Sequence, residues 1–401
     1  MRNTIMTLFF LVCCIVLPQK TICYNHHSPK VTIVIVIDQC AYHYINKLYK
    51  YFRYGIRYLL DHAVVYTNAH MPHGLPSTAT GHAALNTGVW GKDHGFVGNA
   101  YYDRTGKKIA CDDDDRPESY VFIPTQDGAT YNYGKSPHQL MVDGLSDQCV
   151  MQSEPHSSFR AFSISGKSRS AIATAGRLGK AIWFDDQSGL FTSSKAYFKQ
   201  LPDWLNEWNN SMVKQSVTDV MWQRMYPKNP YAYNFFNTDN YTYTRSQKTM
   251  LDRNLPVPDM TNEKKPYLLF EKTPQANQLL LNTAQECMRQ HVGKKSKDRL
   301  LLWVCLSPLD KLGHEYGPHS LEVIDMLYHI DKQLQKFIRN AIRLVGKYNV
   351  AFVMTADHAI MPMPEILSDN GFDMAVRIDS TNFVADLNDY IKYYYHFSNE
   401  T

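Results

Sequence analysis

Three apolar runs in this 401-residue chain each end in side chains that can hold a metal ion. Val31–Ile37 (VTIVIVI) is followed at once by Asp38, and Arg299–Leu306 (RLLLWVCL) by Asp310 and His314. Residues 349–355 (NVAFVMT) are followed by Asp357 and His358. Carboxylate oxygen and imidazole nitrogen are the donors a catalytic zinc takes where no thiolate is offered. Asp310 and His314 are four apart and share a face if the segment is helical. Asp357 and His358 are adjacent and can reach one ion only from a loop. Each piece has a plainer reading alone: Asp38 as a helix cap, Asp310 with His314 as a surface pair, Asp357-His358 as an ordinary dipeptide. Their shared position just past a buried strand singles them out, because open α/β sheets carry their sites at strand carboxyl ends.

A hydroxyl accompanies them. Thr78 stands in PSTATGHAALNTG, after a Pro/Gly/Ser-rich loop at 71–77, where a helix should start near Thr78 and stop before Gly88. Backbone N–H groups at a helix N-terminus bind phosphate oxygens. Threonine is a poor nucleophile at neutral pH until a metal lowers its pKa. The residue types fit equally well a simple N-cap by Ser77 or Thr78, with His82 as a packing group.

The elements that must position these groups can be read from periodicity. Further strands are expected at 159–165 and 181–185, with a short one at 64–69. Helices are expected at 45–62, 136–145, 275–293 and 320–345, and a hairpin over 99–116. The acidic run at 112–115 reads as a solvated turn rather than a calcium site. Residues 191–266 are rich in Tyr and Asn, lack strand periodicity, and read as a cap or insertion over the site. With no repeat and no low-complexity linker, the chain reads as one α/β core interrupted by insertions, and 44% hydrophobic residues suffice to bury it.

A net charge of +4, from 42 basic and 38 acidic residues without a long basic run, argues against a nucleic-acid partner. The 27 tyrosines suit a large, partly wet surface or cleft without naming a ligand. Arg2, the apolar run at 5–17 and Pro18 read as a secretory signal peptide over 1–23. That run is shorter than the roughly 20 residues a bilayer span takes. The expected destination is the periplasm or the exterior, an uncleaved anchor being the alternative. No later segment has the character of a membrane helix. Eight cysteines without a CxxC pair argue against a thiolate zinc site, and their spacing assigns no disulfide.

Asp38-Gln39, the TATGH of 78–82, Gly98-Asn99, SPLDKLGHEYGPHS (307–320) and TADHA (355–359) occur in an order and spacing that resemble the alkaline phosphatase superfamily. The nearest resemblance is to its bacterial branch with a threonine nucleophile, close to the nucleotide pyrophosphatases/phosphodiesterases. It runs over about residues 31–367 and is weakest in the Tyr-rich segment. It implies an α/β/α sandwich with a mostly parallel central sheet and an inserted cap, residues 24–401 forming the catalytic domain. It also implies two zinc ions. Asp38, Thr78, Asp357 and His358 resemble the ligands of one, which activates Thr78. Asp310 and His314 resemble two of three ligands of the other.

By the same resemblance, Asn99 hydrogen-bonds a nonbridging phosphoryl oxygen and the reaction passes through a phosphothreonine. Lys167 and Arg169, in SISGKSRSA, resemble the Lys-x-Arg pair of the monoesterase branch. A monoester carries an extra negative charge that two cations can neutralise; outside that context the two would be surface cations. The implied substrates are small phosphate monoesters, with phosphodiesters or nucleotide pyrophosphates on the same core as the alternative. The family's third ligand to the second zinc is a C-terminal histidine, and this chain reads as truncated there. His396, in YYYHFSN, lacks the family's surroundings, and His73, His94 and His319 are substitutes. An incomplete second zinc site is therefore expected, and a catalytically impaired phosphate-binding relative is the remaining alternative.

Overall fold

The computed structural model describes residues 28–396 apart from 72, 219, 234–249, 256, 260–263 and 294–296. The expected signal peptide, and part of the expected cap, lie outside the described residues.

Six strands form the central sheet: β1 (Val31–Ile37), β2 (Phe159–Ser165), β3 (Lys180–Asp185), β4 (Leu190–Thr192), β5 (Arg299–Leu306) and β6 (Val350–Thr355). Their spatial order is β6-β1-β5-β2-β3-β4. Every neighbouring pair is parallel except β3 with β4. Five helices bear on the site: α1 (Thr78–Thr87), α2 (Ser168–Ala175), α3 (Pro274–His291), α4 (Pro308–Tyr316) and α5 (Leu321–Val345).

The sheet is covered on both faces, which is why its central strands are apolar without alternation. Ile33, Ile35 and Ile37 of β1 join Leu302, Val304 and Leu306 of β5 in a core shared with α3 and α5. The intervening Val34, Val36, Trp303 and Cys305 face the opposite side, with Leu85 of α1 and Cys149. On that side α1 and α2 approach through Ala79, Ala83, Ala171 and Ala175, whose small side chains keep the two helix starts close. The α/β/α layering and mostly parallel sheet match the expected fold class.

Several local expectations fail for identifiable reasons. Residues 45–62 are not one helix but two, Tyr42–Leu48 and Gly55–His62. The Asp331 carboxylate of α5 draws in the N–H groups of Arg53 (2.8 Å), Tyr54 (3.0 Å), Ile56 (2.8 Å) and Arg57 (3.3 Å), so the chain breaks there. Residues 64–69 form no strand; Val64, Val65 and Tyr66 are exposed. The helix expected at 136–145 lies instead at Leu145–Met151. The Ser136 N–H is committed to Asp112 O at 3.0 Å, which fixes that stretch as a loop. Helix α2 carries no clear sequence signal.

The 191–266 segment starts inside β4, includes a small hairpin (Val220–Trp222 with Arg253–Leu255), and packs against α3 and α5. Trp222 Nε1 donates to Asp325 Oδ2 (2.7 Å), Tyr233 OH to Asp325 Oδ1 (2.5 Å), and Trp208 Nε1 to Thr283 Oγ1 (2.9 Å). The Tyr226 and Tyr233 rings lie 5.0 and 5.8 Å from the Tyr328 ring. These tyrosines make an aromatic seam between the segment and α5, not a wet cleft. All five cysteines among the described residues are free thiols.

Because Asp331 satisfies four backbone donors from inside the fold, Asp331→Ala should lower the unfolding free energy by roughly 2–4 kcal/mol. Urea unfolding of the two proteins checks this, with Asp331→Asn expected to lose less.

Candidate functional site

Parallel register sets the site. Ile37 lies opposite Leu306 and Val36 opposite Thr355, so the next residues of β1, β5 and β6 leave the sheet along one edge. Asp38 N–H donates to Leu306 O at 3.0 Å. The chain then turns into α4, where Asp310 sits in the first turn and His314 one turn on, its Nε2 3.2 Å from Asp310 Oδ1. Helix α1 brings Thr78 in as its first residue. Gly81 lies against Asp357, where an added Cβ would overlap the Asp357 carbonyl, so only glycine lets α1 come this close.

Asp38, Asp357 and His358 offer three donor atoms all within 4.8 Å of one another. Asp38 Oδ1 is buried with no hydrogen-bond partner. His358 Nε2 lies 3.4 Å from it and 3.5 Å from Asp357 Oδ2. The other ring nitrogen, Nδ1, is 2.9 Å from Ala359 O, which leaves Nε2 as the atom facing the group. Two carboxylates and an imidazole around an unbonded buried oxygen are a donor set that fits zinc. Asp310 sits beside them, 3.9 Å from His358 Nε2. Among the described residues no other three donors gather in this way. His94 is buried and accepts the Phe96 N–H (3.1 Å). His73 packs edge-on to Trp90, His319 lies near His43, and His396 ends the exposed helix Ser380–Tyr395. None of these four histidines joins the group.

Lys167, at the N-cap of α2, reaches into the same place. Its Nζ is 2.6 Å from Asp38 Oδ2, 2.5 Å from Asp310 Oδ2 and 3.3 Å from Thr78 Oγ1. Asp38 thus divides its oxygens, Oδ2 to the lysine and Oδ1 toward Asp357 and His358. Burial works against the ammonium, but Asp38 and Asp310 outweigh it and hold the lysine protonated. Arg169, half-buried two residues on, has a buried Nε and no hydrogen-bond or ion-pair partner among the described residues. Asn99 Oδ1 accepts the Ala79 N–H at 2.9 Å, which leaves its NH2 to donate. Ser77 holds the N-cap position with extended backbone, yet its hydroxyl meets Thr80 Oγ1 (3.2 Å) instead of a backbone N–H.

Three features had no reading in the sequence or the wrong one. Gln39, with φ of +66°, ties two motifs together: its N–H donates to Asp357 Oδ1 (3.1 Å) and its Nε2 to Asp310 Oδ1 (2.9 Å). Gly313 makes room for it, since a Cβ there would overlap Gln39 Oε1; a glycine between Asp310 and His314 was the available signal. His82 Nδ1 hydrogen-bonds Thr78 O at 2.8 Å and lies 3.0 Å from Asp357 Oδ2 as an ion-pair contact. The acidic run at 112–115 is a solvated turn only in part: Asp115 is exposed and Asp113 partly so. Asp112 and Asp114 are buried, Asp114 by Ser119 (2.6 Å), Ser136 (2.5 Å) and Arg116 (2.7 Å).

A profile of the type I phosphodiesterase / nucleotide pyrophosphatase family matches residues 32–389. Alkaline phosphatase PhoV of Synechococcus elongatus is 29% identical over 343 residues, which cover 84% of this chain and 60% of that protein. Alkaline phosphatase PafA of Elizabethkingia meningoseptica is 29% identical over 363 residues, covering 90% and 64%. The crystal structure of wild-type PafA superposes with a TM-score of 0.76 at 29% identity, covering 90% of this chain and 69% of that one. The chain therefore spans about three fifths of the length of these curated relatives.

Charge in the cluster sets a pH dependence for the metal-free protein. Burial alone would raise the Asp357 carboxyl, but His82 and then His358 pull it down to about 2. Burial alone would lower His358, but Asp38 and Asp357 raise it to about 9. A depressed carboxyl stabilises the fold above its ordinary 3.8, and that contribution disappears as pH falls to about 2. A raised imidazole stabilises it below 6.5, and that contribution disappears as pH rises through about 9. The thermal midpoint of chelator-treated protein should fall on both limbs. His358→Gln should flatten the alkaline limb most and Asp357→Asn the acid limb most, each also weakening the other limb because the two groups shift one another.

Proposed function

The chain belongs to the type I phosphodiesterase / nucleotide pyrophosphatase family, and from that premise we propose that it hydrolyses small phosphate monoesters through a phosphothreonine at Thr78. The observation that carries this reading is the Lys167 ammonium, which touches Asp38, Asp310 and the Thr78 hydroxyl at once, with the unpaired Arg169 beside it. A hydroxyl, carboxylates that suit a metal and a buried ammonium are thus brought together, with a second cation two residues along the chain.

Asp38, Asp357 and His358 would hold one zinc, and Asp310 with His314 would contribute to a second. Zinc at these donors would supply the positive charge that acidifies the Thr78 hydroxyl and stabilises the departing oxygen. The protein's own groups do the rest. Thr78 Oγ1 forms a bond to phosphorus as the ester oxygen leaves with the alcohol; water then attacks the phosphothreonine, and Thr78 Oγ1 departs with a proton. Lys167 and Arg169 neutralise the nonbridging oxygens, and the Asn99 NH2 donates to one of them. The Asn99 carbonyl, held by Ala79 N–H, fixes the direction of that donor. His82 and Gln39 hold Asp357 and Asp310 in place, so these carboxylates do not reorganise when charge develops.

Two cations favour the dianionic monoester over the monoanionic diester, although the family also contains diesterases. The apolar run at 5–17 supports action outside the cytoplasm. Among the described residues no helix is long and apolar enough to cross a membrane.

In steady-state assays with zinc supplied, Thr78→Ala should lose on the order of 10³-fold or more in kcat. Arg169→Ala should lose about 10²-fold in monoester kcat/KM with far less effect on a diester. Equal losses on both esters would remove the argument for a monoester preference. No turnover of either ester by a folded, zinc-loaded chain would overturn the enzymatic reading.

A further inference from the structure

Arg169 is a half-buried guanidinium with no hydrogen-bond or ion-pair partner among the described residues, and it directly follows Ser168, whose hydroxyl is held by Asp112 of the acidic run. Asp112 and Asp113 lie on the hairpin that also carries Asn99, through the Cys111 N–H to Asn99 O bond of 3.1 Å. Burial and Asp112 raise the Cys111 thiol, while Arg169 and Lys135 oppose them.

The cation that pairs with Asp112 and Asp113 of this acidic run is Lys135. Its Nζ sits 2.8 Å from Asp112 Oδ1 and 2.8 Å from Asp113 Oδ1, answering both carboxylates at once. The remaining Asp112 oxygen, Oδ2, accepts the Ser168 hydroxyl at 2.6 Å, and Ser168 is the residue between Lys167 and Arg169. The third acid, Asp114, is occupied by Arg116, Ser119 and Ser136. Lys135 is itself anchored by its backbone: its N–H donates to Ser119 O (2.9 Å) and its carbonyl accepts from Ser194 Oγ (2.6 Å).

We propose that Lys135 and Asp112 are positioning residues that set the preference for a dianionic phosphoryl group: Asp112 pins the Lys167–Arg169 turn through Ser168, and Lys135 keeps the acidic run from capturing Arg169. The proposal rests on the monoesterase reading above. It assigns Lys135 no contact with substrate; its effect passes through Arg169. Without the lysine, buried Asp112 and partly exposed Asp113 lose their cation, and Arg169, next to the Ser168 that Asp112 holds, becomes the candidate to replace it.

The test uses the zinc-loaded full chain and three readouts: inorganic phosphate binding by calorimetry, KM and kcat for a phosphomonoester and a phosphodiester, and the urea unfolding midpoint. Lys135→Gln should weaken phosphate binding and raise monoester KM by about tenfold, with diester kcat/KM within about twofold. Lys135→Arg should restore the wild-type values. Adding Lys135→Gln to Arg169→Ala should cause no further loss, because both act on one contact. If Arg169→Ala weakens phosphate binding and Lys135→Gln does not, the proposal fails while the monoesterase reading stands. If Arg169→Ala changes neither binding nor KM, that reading fails and takes the proposal with it. Should Lys135→Gln not fold, Ser168→Ala, which removes one hydroxyl, carries the same expectations and the same refutation.

Discussion

Asp38, Asp310 and Asp357 gather three carboxylates where water hardly reaches, their exposures being 0%, 4% and 0%. Unpaired, such charges would be driven to protonate or to pull the loops apart. The surrounding structure is organised to prevent both. Lys167 answers Asp38 and Asp310, His82 and His358 answer Asp357, and the Gln39 N–H and amide hold the opposite oxygens. The carboxylates are paired and fixed in direction, which suits them to holding a cation.

That concentration of charge is possible only because backbones come unusually close. Gly81 lets α1 touch the Asp357 loop, and Gly313 lets α4 accept Gln39 in its left-handed conformation. The alanine seam between α1 and α2 keeps Thr78 and Lys167 on facing helix starts, 3.3 Å apart across 89 positions of sequence. These contacts are made by small residues, so they carry little hydrophobic signal and much geometric consequence.

The two regions that looked least structured in sequence are satisfied internally. The acidic run is folded around hydroxyls and cations, with Lys135 and Arg116 in place of solvent. The Tyr-rich segment is stitched to α5 by Asp325, which accepts from Trp222, Tyr233 and the Met225 N–H. In both cases composition suggested wet surface because it says nothing of partners far along the chain.

The sequence by itself determined the strands β1, β2, β3, β5 and β6, the helices α1, α3 and α5, and the residues at the site edge. Apolar runs buried on both faces and amphipathic helices are local patterns, and the acids just past each strand inherit their place from the sheet. It also carried the motif resemblance that names the family. Tertiary structure alone decided the rest: that Asp331 breaks the 45–62 helix, that Gln39 and His82 brace the carboxylates, that Asp112 and Asp114 are buried, and that Lys167 meets Asp38 and Asp310 while Arg169 is left free. Each depends on a charge or hydrogen bond joining groups far apart in the chain, and such a bond leaves no periodicity to read.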